Sequence, residues 1–353
     1  MNMDHGTNRT NATDSWIFPD IPTSGIRIIY LEQWEPWASQ SHGGVHKALR
    51  TDTGEIIVVK TVDVDGRGDM SWKEDNETRN GLLDTLKSHF EFIKHLRHPN
   101  IVHHLHYQEQ MKGEQRLYGF EIFMELFGRS TLHNMACSVE LTSVQIQHIM
   151  RQVVDGLAYL HEHHCAHRDL RGCNILVAPT GTNEYKVKLA GLGNIKDATG
   201  KWAYRRDYRY IRFFAPERLL FDRSPPRYQP PGAASRRNKR LDVWSLGCVV
   251  LEVVNRGWPE YFKTDYQGQR VKLEMDNVVG LLCVVIEQEG SPEISDALPE
   301  AVRSFIEKCL VREPRNRPKV EDLKGHEFLT APEDVVGNWI LPPRTVSRDD
   351  FVY

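Results

Sequence analysis

The chain has 353 residues, of which 40% are hydrophobic and 26% charged, with a formal net charge of −3. That composition belongs to a globular protein with room for two lobes, not to a disordered or low-complexity chain. The mild charge supplies no field for nucleic acid, no run of about 18 apolar residues offers a membrane span, and the first thirty residues hold no apolar signal segment.

Residues 1–25 are polar and read as an N-terminal extension. Ile26–Leu31 and Val45–Leu49 alternate as strands do, and Thr53-Gly54 marks a hairpin turn before the β-branched run Glu55–Val62. Leu82, Leu86, Phe90, Ile93 and Leu96 recur at helical spacing, which predicts a helix ending just before His98-Pro99-Asn100. Ile101–Leu105 and Leu117–Leu126 read as two further strands. Thr142 is placed to cap a helix with the apolar stripe Ile146, Ile149, Val153, Leu157 and Leu160. Two short strands follow, Asn174–Ala178 and Tyr185–Ala190, on either side of a turn at Gly181. Asp242–Asn255 is apolar nearly all round, the mark of a helix inside a core, and Leu298–Leu310 is amphipathic. Strands first and helices afterwards make the expected class α+β, with a small β-rich lobe and a larger helical one. The Pro- and Arg-rich stretch 222–240 reads as an inserted loop, and residues 331–353 as a tail. Six cysteines, at 137, 165, 173, 248, 283 and 309, form no CxxC pair. Free thiols in a reducing, cytoplasmic setting are expected of them. The basic cluster Arg236, Arg237, Lys239 and Arg240 adds a nuclear address as an alternative.

Three phrases carry chemistry. His167-Arg168-Asp169-Leu170-Arg171-Gly172-Cys173-Asn174 resembles the protein-kinase catalytic loop H-R-D-L-x-x-x-N; Ala215-Pro216-Glu217 stands downstream as A-P-E does; and Ile56-Ile57-Val58-Val59-Lys60 stands upstream in the place of V-A-I-K. The segments 98–102 (HPNIV), 242–252 (DVWSLGCVVLE) and 315–318 (RNRP) are similar to kinase segments too. The chain thus resembles the eukaryotic protein kinase superfamily over about residues 26–330, with 26–127 as the small lobe and 128–330 as the large one.

The resemblance implies roles. Asp169 would orient the acceptor hydroxyl, Asn174 would ligate one metal ion, and Lys60 would pair with the α- and β-phosphates of ATP. Arg171 takes the place of a Lys common in Ser/Thr kinases and keeps its positive charge. Val45, Val58 and Leu176 fall where the family packs apolar side chains around adenine. Met124 falls at the gatekeeper, and Glu125 and Leu126 fall at the hinge. Glu217 and Arg317 match a buried ion pair.

The departures fall together on nucleotide handling. The phrase 189–197 (LAGLGNIKD) reads like LADFGLAKD, so Gly191 stands where the family has its metal-binding Asp. Of the glycine-rich positions, Ala38, Gln40 and Gly43, only Gly43 is glycine, and side chains at the others hinder the approach of phosphate to backbone N–H groups. His89 stands where the family has the helix Glu that holds the Lys, and it shares the helix side of Leu86 and Ile93. The expectation is a pseudokinase that regulates or scaffolds a protein partner, with weak or metal-independent nucleotide binding: ATP stays open as a ligand and Mg²⁺ is doubtful. The alternative is a divergent active kinase with a protein substrate, Ser/Thr rather than Tyr, using Asp169 as its base. No nucleic-acid or membrane partner is expected.

Overall fold

The computed structural model describes residues 27–33, 44–63, 87–112, 116–181, 184–192, 208–221, 233–264, 269–273, 284–285 and 290–340. The chain divides into two compact units, one within residues 1–65 and 105–126, the other within 66–104 and 127–353.

The first unit is a five-stranded sheet of β1 (Ile28–Gln33), β2 (Val45–Arg50), β3 (Ile56–Asp63), β4 (His104–Lys112) and β5 (Arg116–Glu125), in the order β1-β2-β3-β5-β4. The predicted turn joins β2 to β3. Gly54 takes φ +72°, a left-handed conformation that glycine adopts without strain, and its N–H closes on the Arg50 carbonyl at 2.8 Å. Period-2 alternation then builds the core. Ala48 lies opposite Ile57, Val59 lies opposite Phe123, and all four are fully buried with Ile28, Tyr30 and Leu105 packed against them. The buried Glu121 on β5 is satisfied by the Tyr30 hydroxyl at 2.5 Å, by Gln110 Nε2 at 2.7 Å and by Gln108.

The predicted strand at Ile101–Leu105 is displaced. Ile101 makes an isolated bridge to Leu189, Val102 N–H donates to the Leu189 carbonyl at 2.9 Å, and the regular strand starts only at His104. The apolar pair Ile101-Val102 is buried in the second unit, so its hydrophobicity marks a core contact there rather than a strand of the first sheet.

The second unit is mainly helical. α1 covers residues 87–93 and stops four residues short of the expected end, because Leu96 N–H turns back to the Ile93 carbonyl in a tighter bond. α2 (Leu132–Ser138) has no counterpart in the sequence reading. α3 (Ser143–Glu162) starts where expected: Thr142 accepts Gln145 N–H while the Gln145 side chain accepts Thr142 N–H, a full capping box. Its predicted stripe is buried at every position. A small sheet of β6 (Ser130–Thr131), β7 (Ile175–Pro179) and β8 (Tyr185–Leu189) follows, then α4 (Pro216–Phe221) and α5 (Ala233–Val254). The hairpin β9 (Phe262–Thr264) and β10 (Arg270–Lys272) precedes α6 (Glu300–Cys309), α7 (Val320–Leu323), α8 (Glu327–Thr330) and α9 (Glu333–Val336).

Two corrections follow. α5 begins at Ala233, so residues 233–240 are helix and not part of a loop; this run has no proline and is made mostly of residues that tolerate a helix. Lys239 and Arg240 at its end donate to the His161 and Arg317 carbonyls. The rest of the expected loop lies outside the described residues. Residues 331–340 are also not a loose tail: buried Gln147 donates to the Ala331 carbonyl at 3.0 Å, and the Ser143 hydroxyl donates to the Trp339 carbonyl at 3.0 Å. Among the described residues no helix is long and apolar enough to cross a membrane.

Candidate functional site

The segment between α3 and β7 has little regular structure of its own, so its shape is imposed by what it bonds to. Asp242 of α5 is fully buried and organises the first half. One carboxylate oxygen accepts His167 N–H at 2.7 Å and lies 2.8 Å from His161 Nε2; the other accepts Arg168 N–H at 2.7 Å. Burial alone would raise this carboxyl, but the His161 bond and the charges of His161 and His167 outweigh it and hold Asp242 below the usual carboxylate range. The clamp keeps Arg168 at φ +67°, a left-handed conformation uncommon for a side-chain-bearing residue. Arg218 fixes the same residue by donating to its carbonyl at 2.6 Å.

Glu252, further along α5 and equally buried, organises the second half. It accepts Gly172 N–H at 2.9 Å and lies 2.6 Å from His133 Nδ1 on α2. A β-carbon at position 172 would sit 2.4 Å from the Glu252 carboxylate, so the close approach requires glycine. Burial opposes charge on His133, yet its hydrogen bonds to Cys137 and Glu252 raise it to about 10. The ring is therefore an imidazolium paired with the carboxylate. Neither His133 nor the role of Glu252 emerges from the sequence.

Held at both ends, the loop presents Asp169, Arg171 and Asn174 together. Asn174 Nδ2 donates to the Asp169 backbone carbonyl at 2.7 Å and to its carboxylate at 2.8 Å, and Arg171 Nη2 lies 3.4 Å from the same carboxylate oxygen. Asp169 N–H donates to His167 Nδ1 at 3.3 Å. The Asn174 carbonyl accepts Ala190 N–H at 2.8 Å, which sets Gly191 beside the Asn174 amide with φ +83°. The next residue, Leu192, is buried, and its carbonyl takes a 2.6 Å bond from His89 Nε2. Burial, aided by the Arg168 charge and opposed by the Leu192 bond, keeps His89 below the usual imidazole range, so the neutral ring donates its Nε2–H. The expected inward direction of His89 is therefore found, and its partner within this unit is a backbone carbonyl. The buried pair Glu217–Arg317 is also present, with Nη1–Oε1 at 2.8 Å and Nη2–Oε2 at 3.2 Å.

In the first unit, Lys60 of β3 lies directly opposite Val45 of β2, and Val58 lies opposite Met124 of β5. Direct partners share a face, so these four side chains line the face of the sheet away from the Ala48–Phe123 core. Glu125 pairs with Ile57 and belongs to the core-side row, and Leu126 follows the strand with its side chain exposed. Leu176 is buried on β7 in the second unit. Gly43, with Ala38 and Gln40, lies outside the described residues.

A divalent cation of the Mg²⁺ kind takes several oxygen ligands, carboxylates first. Position 191 has no side chain to give, Asn174 offers one neutral oxygen, and the Asp169 carboxylate is engaged by Asn174 and Arg171. Among the described residues no group of three or more His, Cys, Asp or Glu side chains is placed to hold a metal ion. The described residues around Asn174 do not by themselves fit Mg²⁺.

The comparisons with known proteins bear on the family and the fold. The protein kinase domain family model matches residues 40–329. The chain is 27% identical over 314 residues to mitogen-activated protein kinase kinase kinase 3 of Arabidopsis thaliana, covering 87% of this chain and 44% of that protein. It is 26% identical over 315 residues to the MAP kinase kinase kinase wis4 of Schizosaccharomyces pombe, covering 87% of this chain and 20% of the relative. The chain thus spans less than half the length of these curated relatives. A solved structure of Rad53 residues 1–466 in complex with AMP-PNP superimposes with a TM-score of 0.57 at 19% identity, over 86% of this chain and 65% of that one, a likeness of fold.

Proposed function

Because the chain belongs to the protein kinase domain family, we propose that it acts as a pseudokinase, a kinase fold that regulates or scaffolds a protein partner and transfers little or no phosphate. One observation carries this reading: where phosphoryl transfer needs an acidic metal ligand, the chain has Gly191, packed against Asn174. A metal ion is worth several kcal/mol of transition-state charge stabilisation, and every 1.4 kcal/mol or so is tenfold in rate. The loss therefore costs roughly several powers of ten.

On this reading ATP binds weakly and without Mg²⁺. On the first unit's sheet, Lys60 meets phosphate, Val45, Val58 and Met124 face the nucleotide, and the Glu125–Leu126 backbone contacts its base. The names of the relatives point to a phosphorylation cascade, so the proposed partner is itself a protein kinase. Cys165, Cys248 and Cys309 form no disulfide, which supports a reducing compartment, and the cytoplasm is the proposed location.

A second reading, a divergent active Ser/Thr kinase with Asp169 as base, is favoured by the loop itself, since the Asp242 and Glu252 clamps fix both ends of the segment that carries Asp169. One experiment separates the two. Thermal unfolding is followed with ATP, with and without Mg²⁺ or Mn²⁺, and transfer of radiolabelled phosphate is measured against an Asp169→Asn control. The expected result is an ATP-induced rise in Tm that is indifferent to the cation, with label no higher than in the control. Label transfer that Asp169→Asn abolishes makes the protein an active kinase.

A further inference from the structure

The Glu252 clamp has one further member. Cys137 stands one helical turn after His133 on α2, and the His133 Nε2–H reaches its sulfur at 3.9 Å. The other ring nitrogen, Nδ1, is held by Glu252 at 2.6 Å. Sulfur, imidazole and carboxylate therefore follow one another in the order of an activated thiol.

The ring nitrogen nearest the sulfur belongs to an imidazolium, and a cation beside a cysteine promotes its reactivity. A helix C-terminus opposes an anion, but the last carbonyls of α2 are taken up. Asn134 accepts the Ser138 hydroxyl at 2.6 Å, Met135 accepts Val139 N–H at 2.8 Å, and Ala136 accepts Arg256 Nε at 3.4 Å. Arg256, just beyond α5, brings a second cation to this end of the helix, and Glu140 lies 4.0 Å from it. Elsewhere burial prevails: it pushes Cys165 up to about 11 and raises Cys248 and Cys309 as well. Access comes from position. Cys137 is the last buried residue of α2 and keeps 6% of its surface, while Ser138, Val139 and Glu140 beyond it are exposed. A helix of two turns opens most readily at its end.

We propose that Cys137 is an oxidant-sensitive thiol: a small hydroperoxide converts it to the sulfenic acid, and the change is relayed through His133 and Glu252 to the loop that carries Asp169. The thiolate sulfur attacks one peroxide oxygen, and the S–O bond forms as the O–O bond breaks. Sulfur gives up two electrons, and the leaving oxygen takes them with a proton from His133 Nε2–H, which solvent replaces. The new oxygen needs room beside the His133 ring, which packs against Trp258 at 4.2 Å between centroids. The displacement therefore falls on the Nδ1–Glu252 bond, and Glu252 is the acceptor of Gly172 N–H at 2.9 Å. The relay operates whether or not the loop transfers phosphate.

The test treats the full chain with hydrogen peroxide and dimedone, which traps sulfenic acids, and follows each cysteine by mass spectrometry in folded and urea-unfolded protein. Cys137 is expected to label severalfold faster folded than unfolded, and roughly tenfold or more ahead of Cys165, Cys248 and Cys309 in the folded chain. Labelling no faster folded than unfolded overturns the proposal and makes Cys137 an inert core cysteine. His133→Lys keeps a cation and is expected to keep most of the rate, whereas His133→Gln is expected to lose it. Equal rates in these two variants remove His133 from the mechanism. If neither folds, the folded-against-unfolded comparison decides alone. The relay is read by hydrogen exchange: the peptide holding Gly172 is expected to exchange faster in the oxidised, trapped chain, and not in Cys137→Ser treated in the same way. Unchanged exchange in a chain whose Cys137 is oxidised overturns the relay.

Discussion

Glu252 has no exposed surface, and each of its carboxylate oxygens has a partner, Gly172 N–H on one and His133 on the other. A buried carboxylate deprived of its cation costs about 3–5 kcal/mol, so His133→Ala is expected to destabilise the protein by that order. The pH dependence has a definite sign. In the folded protein His133 is raised to about 10 from the ordinary 6.5, so its contribution is fully present below pH 6.5 and declines as the pH climbs towards 10. Denaturant unfolding of the natural protein and His133→Ala across that window should show the stability gap narrowing as pH rises. A gap that stays flat would mean His133 is held neutral, its ring serving only as packing against Trp258, 4.2 Å away between centroids. This pair is illegible in the sequence because its members stand 119 residues apart and belong to elements with no shared local pattern. Gly191 is legible for the opposite reason. It follows directly from strand β8 in a phrase whose neighbours fix the frame, so one missing carboxylate can be located without any knowledge of the fold.

The same contrast holds for whole elements. α3 is readable because its signals are local and redundant: an N-cap threonine, a glutamine three residues on, and an apolar stripe of five residues over about four turns. Thr142→Ala removes the acceptor of Gln145 N–H and is expected to cost about 0.5–2 kcal/mol, or roughly 2–4 °C of Tm per kcal/mol in a domain of this size. Thr142→Ser, which keeps the oxygen, should stay close to the natural Tm. If both variants lose equally, the threonine contributes through its methyl group and not through its cap. The elements that escape the sequence reading are short. α2 spans two turns, β9 and β10 have three residues each, and α9 has four. Such segments hold too few residues to display a period, and tertiary contacts decide them, as the Gln147 and Ser143 bonds to residues 331 and 339 do for the segment around α9. The displaced start of β4 has the same origin, since periodicity reports that Ile101 and Val102 are buried but not in which unit.

At the scale of the molecule, the fold class is readable because kinase-like phrases recur in order from residue 56 to residue 318, each seating a different buried contact. Activity is not readable in that way, because the loop that holds Asp169 is clamped by Asp242 and Glu252 whether or not phosphate is transferred. Preservation of the loop therefore has two explanations, chemistry and architecture, and they part on two substitutions. Asp169→Asn removes a charge but keeps the size of the side chain and an oxygen to accept from Asn174 Nδ2, so it should leave Tm within a few degrees. Arg317→Ala removes the guanidinium that pairs with buried Glu217 and also donates to the Val311, Arg312 and Arg240 carbonyls at 2.8, 3.2 and 2.6 Å. It strands a buried carboxylate and several carbonyls, at a cost of about 3–5 kcal/mol or more. A protein that regulates by shape should tolerate the first change and not the second. In cells lacking the natural protein, Asp169→Asn is expected to restore partner regulation fully, while Arg317→Ala is expected to fall in abundance and fail. Should Asp169→Asn fail at normal abundance and unchanged Tm, chemistry is what keeps the loop intact, and the regulatory reading gives way to an active kinase that works without the acidic ligand at 191.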